Sequence, residues 1–470
     1  MRICLVGVLL LFATAASAQD PETIARFERT FEEIRQAHYE RVGSGTTLTE
    51  QARLLYGGYV TLAGLTVDGE DRSTRVLRQV DGRFWAEGRL RGHTLYGRLR
   101  LNYQNFDTGD SFTGAGDELV NPLSDRYWYR FDWGADQRAE EGVDPSLDWW
   151  VQIGRQYMDW VSGLVLSETL YALRTGAEGR SLRVEGFVGV TPQTSTIDFD
   201  GSRPNFTSDT DRLFWGVSVE YLRLPGHRPY VYVVGQDDRN DTMLGGGGTF
   251  GYDSTYVAVG STGQITTGQW LYRAEFIWEF GDSTSDVLGT FPQTVDDIQA
   301  WAARFLVAFL PPSLRHRGMR FEVEVLVGSG DDDRGHSSQT AGGNTSGTKD
   351  ESFNAFGYAN TGLALAPGFA HLVAVRFGAS ALPWRGHRLL GGMRVGVDTF
   401  LYAKTDDDAP ISVTTTSGEG FVGVGVDLIL SWILTSDVTF DLRYGIFVPG
   451  SAVPNKDPLH FGYLGVSYGF

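Results

Sequence analysis

Apolar and polar residues alternate with a period of two from about residue 54 to residue 470. In residues 93–103, Leu95, Leu99, Leu101 and Tyr103 share one face, and Tyr96, Arg98, Arg100 and Asn102 share the other. Residues 268–280 set Trp270, Tyr272, Ala274, Phe276, Trp278 and Phe280 against Arg273, Glu275 and Glu279. Residues 318–328 set Phe321, Val323 and Val325 against Arg320, Glu322 and Glu324, and residues 436–446 set Phe440, Leu442 and Tyr444 against Asp441 and Arg443. Neighbouring side chains of a strand point to opposite faces, so each segment predicts a strand with one apolar and one charged face. Counting such segments predicts eighteen strands, with sixteen as the second choice. The spans are 54–66, 73–90, 93–106, 126–134, 147–156, 161–173, 181–191, 211–223, 229–236, 252–261, 268–280, 298–310, 318–328, 368–381, 388–404, 418–434, 437–448 and 458–470. One stretch follows the other period. In residues 20–42, Ile24, Phe27, Phe31, Ile34 and His38 fall on one helical face, behind Asp20 as a cap and Pro21 at the first turn.

A water-soluble sandwich also alternates, and two features favour a membrane barrel instead. Trp270 and Trp278 bracket one apolar strand face, as interfacial aromatic girdles do. The connections also take turns, short ones rich in Pro and Gly, and long ones such as 191–211 and 328–367. That is the rhythm of periplasmic turns and extracellular loops. Residues 66–72 form a short link where a long one is due, and residues 134–146 a medium link where a short one is due. The expected fold is all-β, a transmembrane antiparallel β-barrel over residues 54–470. A periplasmic helix and linker over residues 19–53 precede it.

The two ends of the chain fit this reading. Residues 1–18 resemble a secretory signal peptide, with Arg2, an apolar stretch and Ala16-Ser17-Ala18 before the expected cleavage point. At the other end Leu464, Val466, Tyr468 and the final Phe470 share one face, like the assembly signal read by the barrel assembly machinery of the bacterial outer membrane. The expected surroundings are outer-membrane lipid and lipopolysaccharide. The helical face at 20–42 would dock on the periplasmic mouth or meet a periplasmic partner.

Composition narrows the chemistry. The formal charge is −18, which argues against a nucleic-acid partner. The one cysteine, Cys4, lies in the leader, so neither a disulfide framework nor a thiolate metal site is expected. No nucleophile elbow or HExxH motif is present, and neither an enzyme activity nor a cofactor is expected. Of the 40 basic residues only Lys349, Lys404 and Lys456 are lysine. Facing rules send Arg89, Arg91, Arg98, Arg100, Arg183, Arg273, Arg304, Arg320, Arg376, Arg394 and Arg443 into the lumen, together with Glu275, Glu322 and Asp441. A guanidinium fork stays charged and grips carboxylates at two points, which suits a pore for anions. The same residues also suit a wall stiffened by cross-strand ion pairs. Acidic runs such as 331–333 and 406–408 fall in the long loops, giving an acidic mouth over a basic throat. Of the basic pairs, Arg89/Arg91 and Arg98/Arg100 lie on adjacent strands with Glu87 as the nearby strand acid.

Two motifs carry a resemblance. Ile153-Gly154-Arg155-Gln156 resembles the GRQ signature of alginate-export outer-membrane proteins, with Ser162-Gly163 in the place of that family's Gly-rich turn. Residues 356–367, from Phe356-Gly357-Tyr358 to Pro367, resemble the family's late loop. The resemblance implies an eighteen-stranded barrel exporting an anionic polysaccharide through an Arg-lined constriction, and adds Arg155 to the pore-lining set. The functional expectation is therefore a pore for anionic sugars or an anionic exopolysaccharide. A general or cation-preferring porin, and a surface adhesin or structural barrel with a closed lumen, remain the alternatives.

Overall fold

The alternation becomes one closed antiparallel sheet. The computed structural model describes residues 44–49, 52–70, 73–106, 118–120, 124–193, 195–199, 210–240, 250–266, 268–285, 293–334, 343–368 and 370–470. The expected signal peptide and the expected helix at 20–42 lie outside them.

The strands are β1 (Ser44–Thr49), β2 (Ala52–Asp68), β3 (Thr74–Leu90), β4 (His93–Phe106), β5 (Glu118–Val120), β6 (Ser124–Asp132), β7 (Asp148–Asp159), β8 (Ser167–Glu178), β9 (Leu182–Val190) and β10 (Arg212–Tyr221). They continue as β11 (His227–Asp238), β12 (Tyr252–Thr266), β13 (Trp270–Thr284), β14 (Val295–Phe309), β15 (Arg320–Gly328), β16 (Leu372–Ala381), β17 (Met393–Lys404), β18 (Phe421–Ile433), β19 (Val438–Pro449) and β20 (Leu459–Gly469). Helix α1 (Trp133–Glu141) joins β6 to β7.

Eighteen of these strands make the barrel. The seam closes where β2 pairs with β20, from Tyr59↔Gly469 to Val67↔Phe461. The other two strands extend this wall. β5 follows β6 along the same edge of β4, with Asn102↔Val120 beyond Leu99↔Ser124. β1 pairs with residues 52–56 of β2, below the point where Phe470 and Gly58 exchange both backbone hydrogen bonds at 3.0 Å. The ladder on β2 thus continues after β20 ends, and β1 covers an edge that would otherwise be open. Residues 44–49 fall in the linker that the alternation predicts, because the period of two starts only near residue 54.

Apolar strand faces point outward and stay exposed to a lipid-facing surface, as at Leu62 (57%) and Leu95 (64%). Aromatic residues such as Trp215, Trp278 and Phe280 stand on that face. Phe470 does too, beside Phe84 and Tyr468.

Two local departures have physical causes. The medium link after β6 is helical because Asp132 caps the first turn, accepting from the Ala135 N–H, and Gly142 ends it in the left-handed region at φ 68°. The second departure is β8, which starts at Ser167 and not at 161. Trp160, Leu164, Val165 and Leu166 leave the wall and bury themselves inside the barrel.

Candidate functional site: the barrel lumen

Loops, and not only strand side chains, build the interior. Residues 160–166 and the segment 350–367 turn inward and meet. The Ser167 N–H donates to the Phe356 carbonyl at 2.8 Å and the Tyr358 N–H to the Gly163 carbonyl at 2.8 Å. Gly357 passes so close to residue 164 that a Cβ there would lie 1.7 Å from the Leu164 carbonyl oxygen, so only glycine fits. Phe353 and Phe356 pack among inward-facing wall aromatics, Phe356 edge-on to Phe214 and Phe353 edge-on to Tyr256. Burying such side chains stabilises the inward fold by about 1.5–3 kcal/mol each.

Wall carboxylates hold these loops. Glu275 accepts from Ser162 Oγ at 2.7 Å and from the Tyr230 and Tyr232 hydroxyls at 2.7 and 2.5 Å. Glu279 accepts from the Asn354 N–H at 3.1 Å and the Tyr252 hydroxyl at 2.7 Å. Asp427 accepts from the Leu363 N–H at 3.0 Å. A carboxylate facing backbone N–H groups and hydroxyls compensates its lost hydration, which is why acids can serve as loop anchors in a confined space.

Strand register gives the face on which each strand arginine stands, since paired residues share a face. Arg89, Arg98, Arg100, Arg183, Arg273, Arg304, Arg320, Arg376, Arg394 and Arg443 stand on the lumen side of their strands, with Glu275, Glu322 and Asp441. Many are in ion pairs. Arg376 reaches Glu324 at 2.8 Å, Glu322 at 3.2 Å and Asp398 at 3.5 Å, while Arg304 reaches Glu324 at 2.6 Å. Arg183 pairs with Glu178 and Glu220, Arg89 with Glu87, and Arg320 with Glu322. Arg394 donates to Ser380 Oγ at 3.2 Å, and Ser431 Oγ donates to Asp441 at 2.5 Å. Arg273, in register with Thr262 and Leu306, and Arg443, in register with Ile429 and Tyr463, make no ion pair or hydrogen bond among the described residues.

Two expected lumen arginines have other surroundings. Arg91 sits in the turn between β3 and β4, at φ 51°, and pairs with Glu140 of α1 at 3.3 Å. The turn ends the alternation, so facing rules no longer apply there. Arg155 is in register with Tyr127 and Tyr171, both exposed on the outer face. Its guanidinium stacks on the Tyr171 ring at 5.5 Å and donates to Ser195 Oγ at 2.7 Å. Gly154 beside it has φ 136°, and a Cβ there would strike the Tyr127 carbonyl at 2.3 Å, which accounts for glycine at that position. The motif thus ties a strand rim to the loop after β9.

The Arg98/Arg100 group is better balanced than Glu87 alone would make it. Asp81 and Asp125 join it. Arg98 pairs with Asp125 at 2.5 Å, Arg100 with Asp81 at 3.7 Å, and Arg83 with both acids at 3.3 and 3.8 Å. Asp81 and Arg83 alternate in phase with Glu87 and Arg89, so parity alone would have found them. Tyr230, Tyr232 and Asp427 were also legible by parity. The donors Ser162, Asn354 and Leu363 were not, because a loop's path has no period.

The acidic loops are partly engaged as well. Asp238 and Asp198 flank Arg212 at 3.1 and 2.9 Å, all three buried. Asp331, Asp332 and Asp333 place their carboxylates within 4.8 Å of one another, near enough to share a cation, but Arg334 stands 3.7 Å from Asp331 and already brings positive charge there.

Known proteins of similar fold agree with this architecture. Three solved barrels have a similar fold. They are OpdK of Pseudomonas aeruginosa with vanillate (10% identity, 88% of this chain and 98% of that one, TM-score 0.53), OccK5 of Pseudomonas aeruginosa (8%, 90% and 99%, 0.56), and a BenF-like porin of Pseudomonas fluorescens Pf-5 (10%, 90% and 100%, 0.53). No curated protein matches the chain in sequence. The family model described as alginate export matches residues 149–467, which is more than half of the sequence. With the closed eighteen-stranded wall, that match places the chain in the bacterial outer membrane, and the chain belongs to the alginate-export family of β-barrels.

Proposed function

We propose that this barrel passes anionic sugars or an anionic exopolysaccharide through a lumen whose available charge is positive. One observation carries the reading. Glu275, Glu279 and Asp427 are engaged with the inward loops, whereas Arg273 and Arg443 have no ion pair or hydrogen bond among the described residues. A net count of lumen charges misses this, because an acid that accepts several hydrogen bonds offers less to a passing ion than an unpaired guanidinium does. The solute in the OpdK crystal, vanillate, is itself a carboxylate, which fits the same chemistry.

The competing reading is a closed lumen. It is favoured by the depth to which residues 160–166 and 350–367 enter the barrel. Single-channel recording in planar bilayers separates the two. The proposal expects a conducting pore that prefers chloride over potassium, with the preference weakening as salt screens the lumen. A pore that conducts no ions in the folded state supports the closed barrel, and one that prefers potassium supports a cation-selective porin.

A further inference from the structure

The lumen wall opposite the loop anchors carries an aromatic row that the ion-pair network does not explain. Trp85 on β3, Tyr96 on β4 and Trp128 on β6 all face inward by register. Their rings stack in sequence, Trp85 on Tyr96 at 6.4 Å and 19°, and Tyr96 on Trp128 at 5.2 Å and 14°. Trp150 on β7 continues the row toward the periplasmic end, with Arg130 over its ring at 4.2 Å and Arg174 at 5.3 Å. Trp85 lies against Gly57 and Trp150 against Gly176, where a Cβ would come within 2.9 and 2.7 Å of the rings. All four aromatics remain only partly buried.

Buried aromatics of a core pack on apolar neighbours. These instead line a polar interior and are interleaved with guanidinium groups. Arg130, Arg174 and Arg98 lie along the row, and the acids facing them are Asp132, Glu185 and Asp125. A pyranose ring has apolar C–H faces and a polar edge. Its face suits a flat aromatic surface, and a carboxylate on its edge suits an arginine beside that surface. Stacking is also tolerant of position, so a chain of sugar units can step along such a row without one deep site.

We infer that Trp85, Tyr96, Trp128 and Trp150 form a sliding platform for the pyranose rings of a carboxylated saccharide, with Arg130 and Arg174 reading its carboxylates. This rests on the proposed passage of anionic sugars and assigns that passage to one wall of the barrel.

The test uses the full-length protein in planar bilayers and measures dwell times of current block. The probes are a galacturonate oligomer, a neutral maltooligosaccharide of equal length, and citrate. The platform predicts that Tyr96→Leu/Trp128→Leu shortens blocks by both oligosaccharides about tenfold, the size of a lost stacking contact, and leaves citrate entry and the reversal potential unchanged. Trp128→Phe retains a flat ring, so it keeps most of the dwell time and controls for folding. Arg130→Gln/Arg174→Gln should shorten only the galacturonate blocks. Equal dwell times in wild type and the Tyr96→Leu/Trp128→Leu variant overturn the platform. A cation-selective wild type with ring-dependent blocks by the neutral sugar keeps the platform and overturns the anionic-solute reading instead.

Discussion

Two regions of the lumen wall hold arginines in different company. On β3, β4 and β6, Arg83, Arg98 and Arg100 share Asp81 and Asp125, and Asp81 is fully buried. On β13 and β19, Arg273 and Arg443 have no such partner among the described residues, although Glu275 follows Arg273 by two positions on the same face. The difference lies in what the nearby acids do. Asp81 and Asp125 answer arginines, whereas Glu275 answers Ser162, Tyr230 and Tyr232. A lumen charge is therefore defined by its residual partners. Under the proposed function, the acid-sharing Arg83, Arg98 and Arg100 stiffen the wall, and Arg273 and Arg443 supply the field that a passing ion meets.

The comparison breaks most visibly if the loops are forced out. Gly357→Val would drive a side chain into the Leu164 carbonyl and separate the two inward segments. Conductance should rise roughly twofold or more, since it follows the open cross-section of a pore. Anion preference should fall at the same time, because Glu279 and Asp427 lose the Asn354 and Leu363 donors. Wild-type conductance in this variant, in a barrel that still shows heat-modifiable migration, would mean that the inward loops do not limit the pore.

Arg98→Ala/Arg100→Ala sharpens the other side. It leaves Asp81 with Arg83, and Asp125 with Arg83 and Arg126, and takes away the closest cation of Asp125. Removing one partner of a buried ion pair costs about 3–5 kcal/mol, so the urea midpoint of the refolded barrel should drop clearly. Arg273→Ala/Arg443→Ala should leave that midpoint nearly unchanged, because no described ion pair is broken. Equal losses in both variants would erase the distinction between the regions.

The smallest effect is expected at the extracellular mouth. Burial pushes the Asp331 carboxyl up to about 6, against the pull of Arg334 beside it. A raised folded pKa means that the folded loop binds the proton more tightly than the unfolded chain does. Its stabilising contribution is thus present below the ordinary carboxylate range and is lost as pH rises through about 6. Amide exchange of residues 329–334, corrected for its intrinsic pH dependence, should show weaker protection at pH 7 than at pH 5, and Asp331→Asn should remove the difference. Protection that is flat with pH in the unaltered protein would contradict this.

Much of the wall was legible in the sequence because a strand carries its own ruler. Once Leu95 faces lipid, Arg98 and Arg100 must face the lumen, and register transfers that assignment to Arg126 and Trp128 on the next strand. The ruler failed where the chain left the sheet. The alternation predicts a strand through Leu164 and Leu166, which lie instead in a buried loop with Trp160, because an apolar run bears no mark of whether it meets lipid or a lumen wall. Arg155 shows the converse limit. Its motif suggests the pore, whereas it is in register with the exposed Tyr127 and Tyr171 and buries its guanidinium against the Tyr171 ring and Ser195. The loop anchors Glu275, Glu279 and Asp427 were visible as lumen acids, but their donors depend on tertiary folding that periodicity does not encode.

The most direct test of the central claim is the reversal potential of three proteins under a potassium chloride gradient at low ionic strength: the unaltered chain, Arg273→Ala/Arg443→Ala and Arg98→Ala/Arg100→Ala. A unit charge 4 Å from an ion is worth about 1 kcal/mol in water and more in a confined lumen, so losing an arginine with no ion pair among the described residues should change the permeability ratio by roughly fivefold or more. The account predicts an anion-preferring pore whose preference falls strongly in Arg273→Ala/Arg443→Ala. In Arg98→Ala/Arg100→Ala the preference should change less, because those guanidinium groups already face Asp81 and Asp125. A pore that prefers cations, or one whose selectivity is untouched by Arg273→Ala/Arg443→Ala, would contradict it.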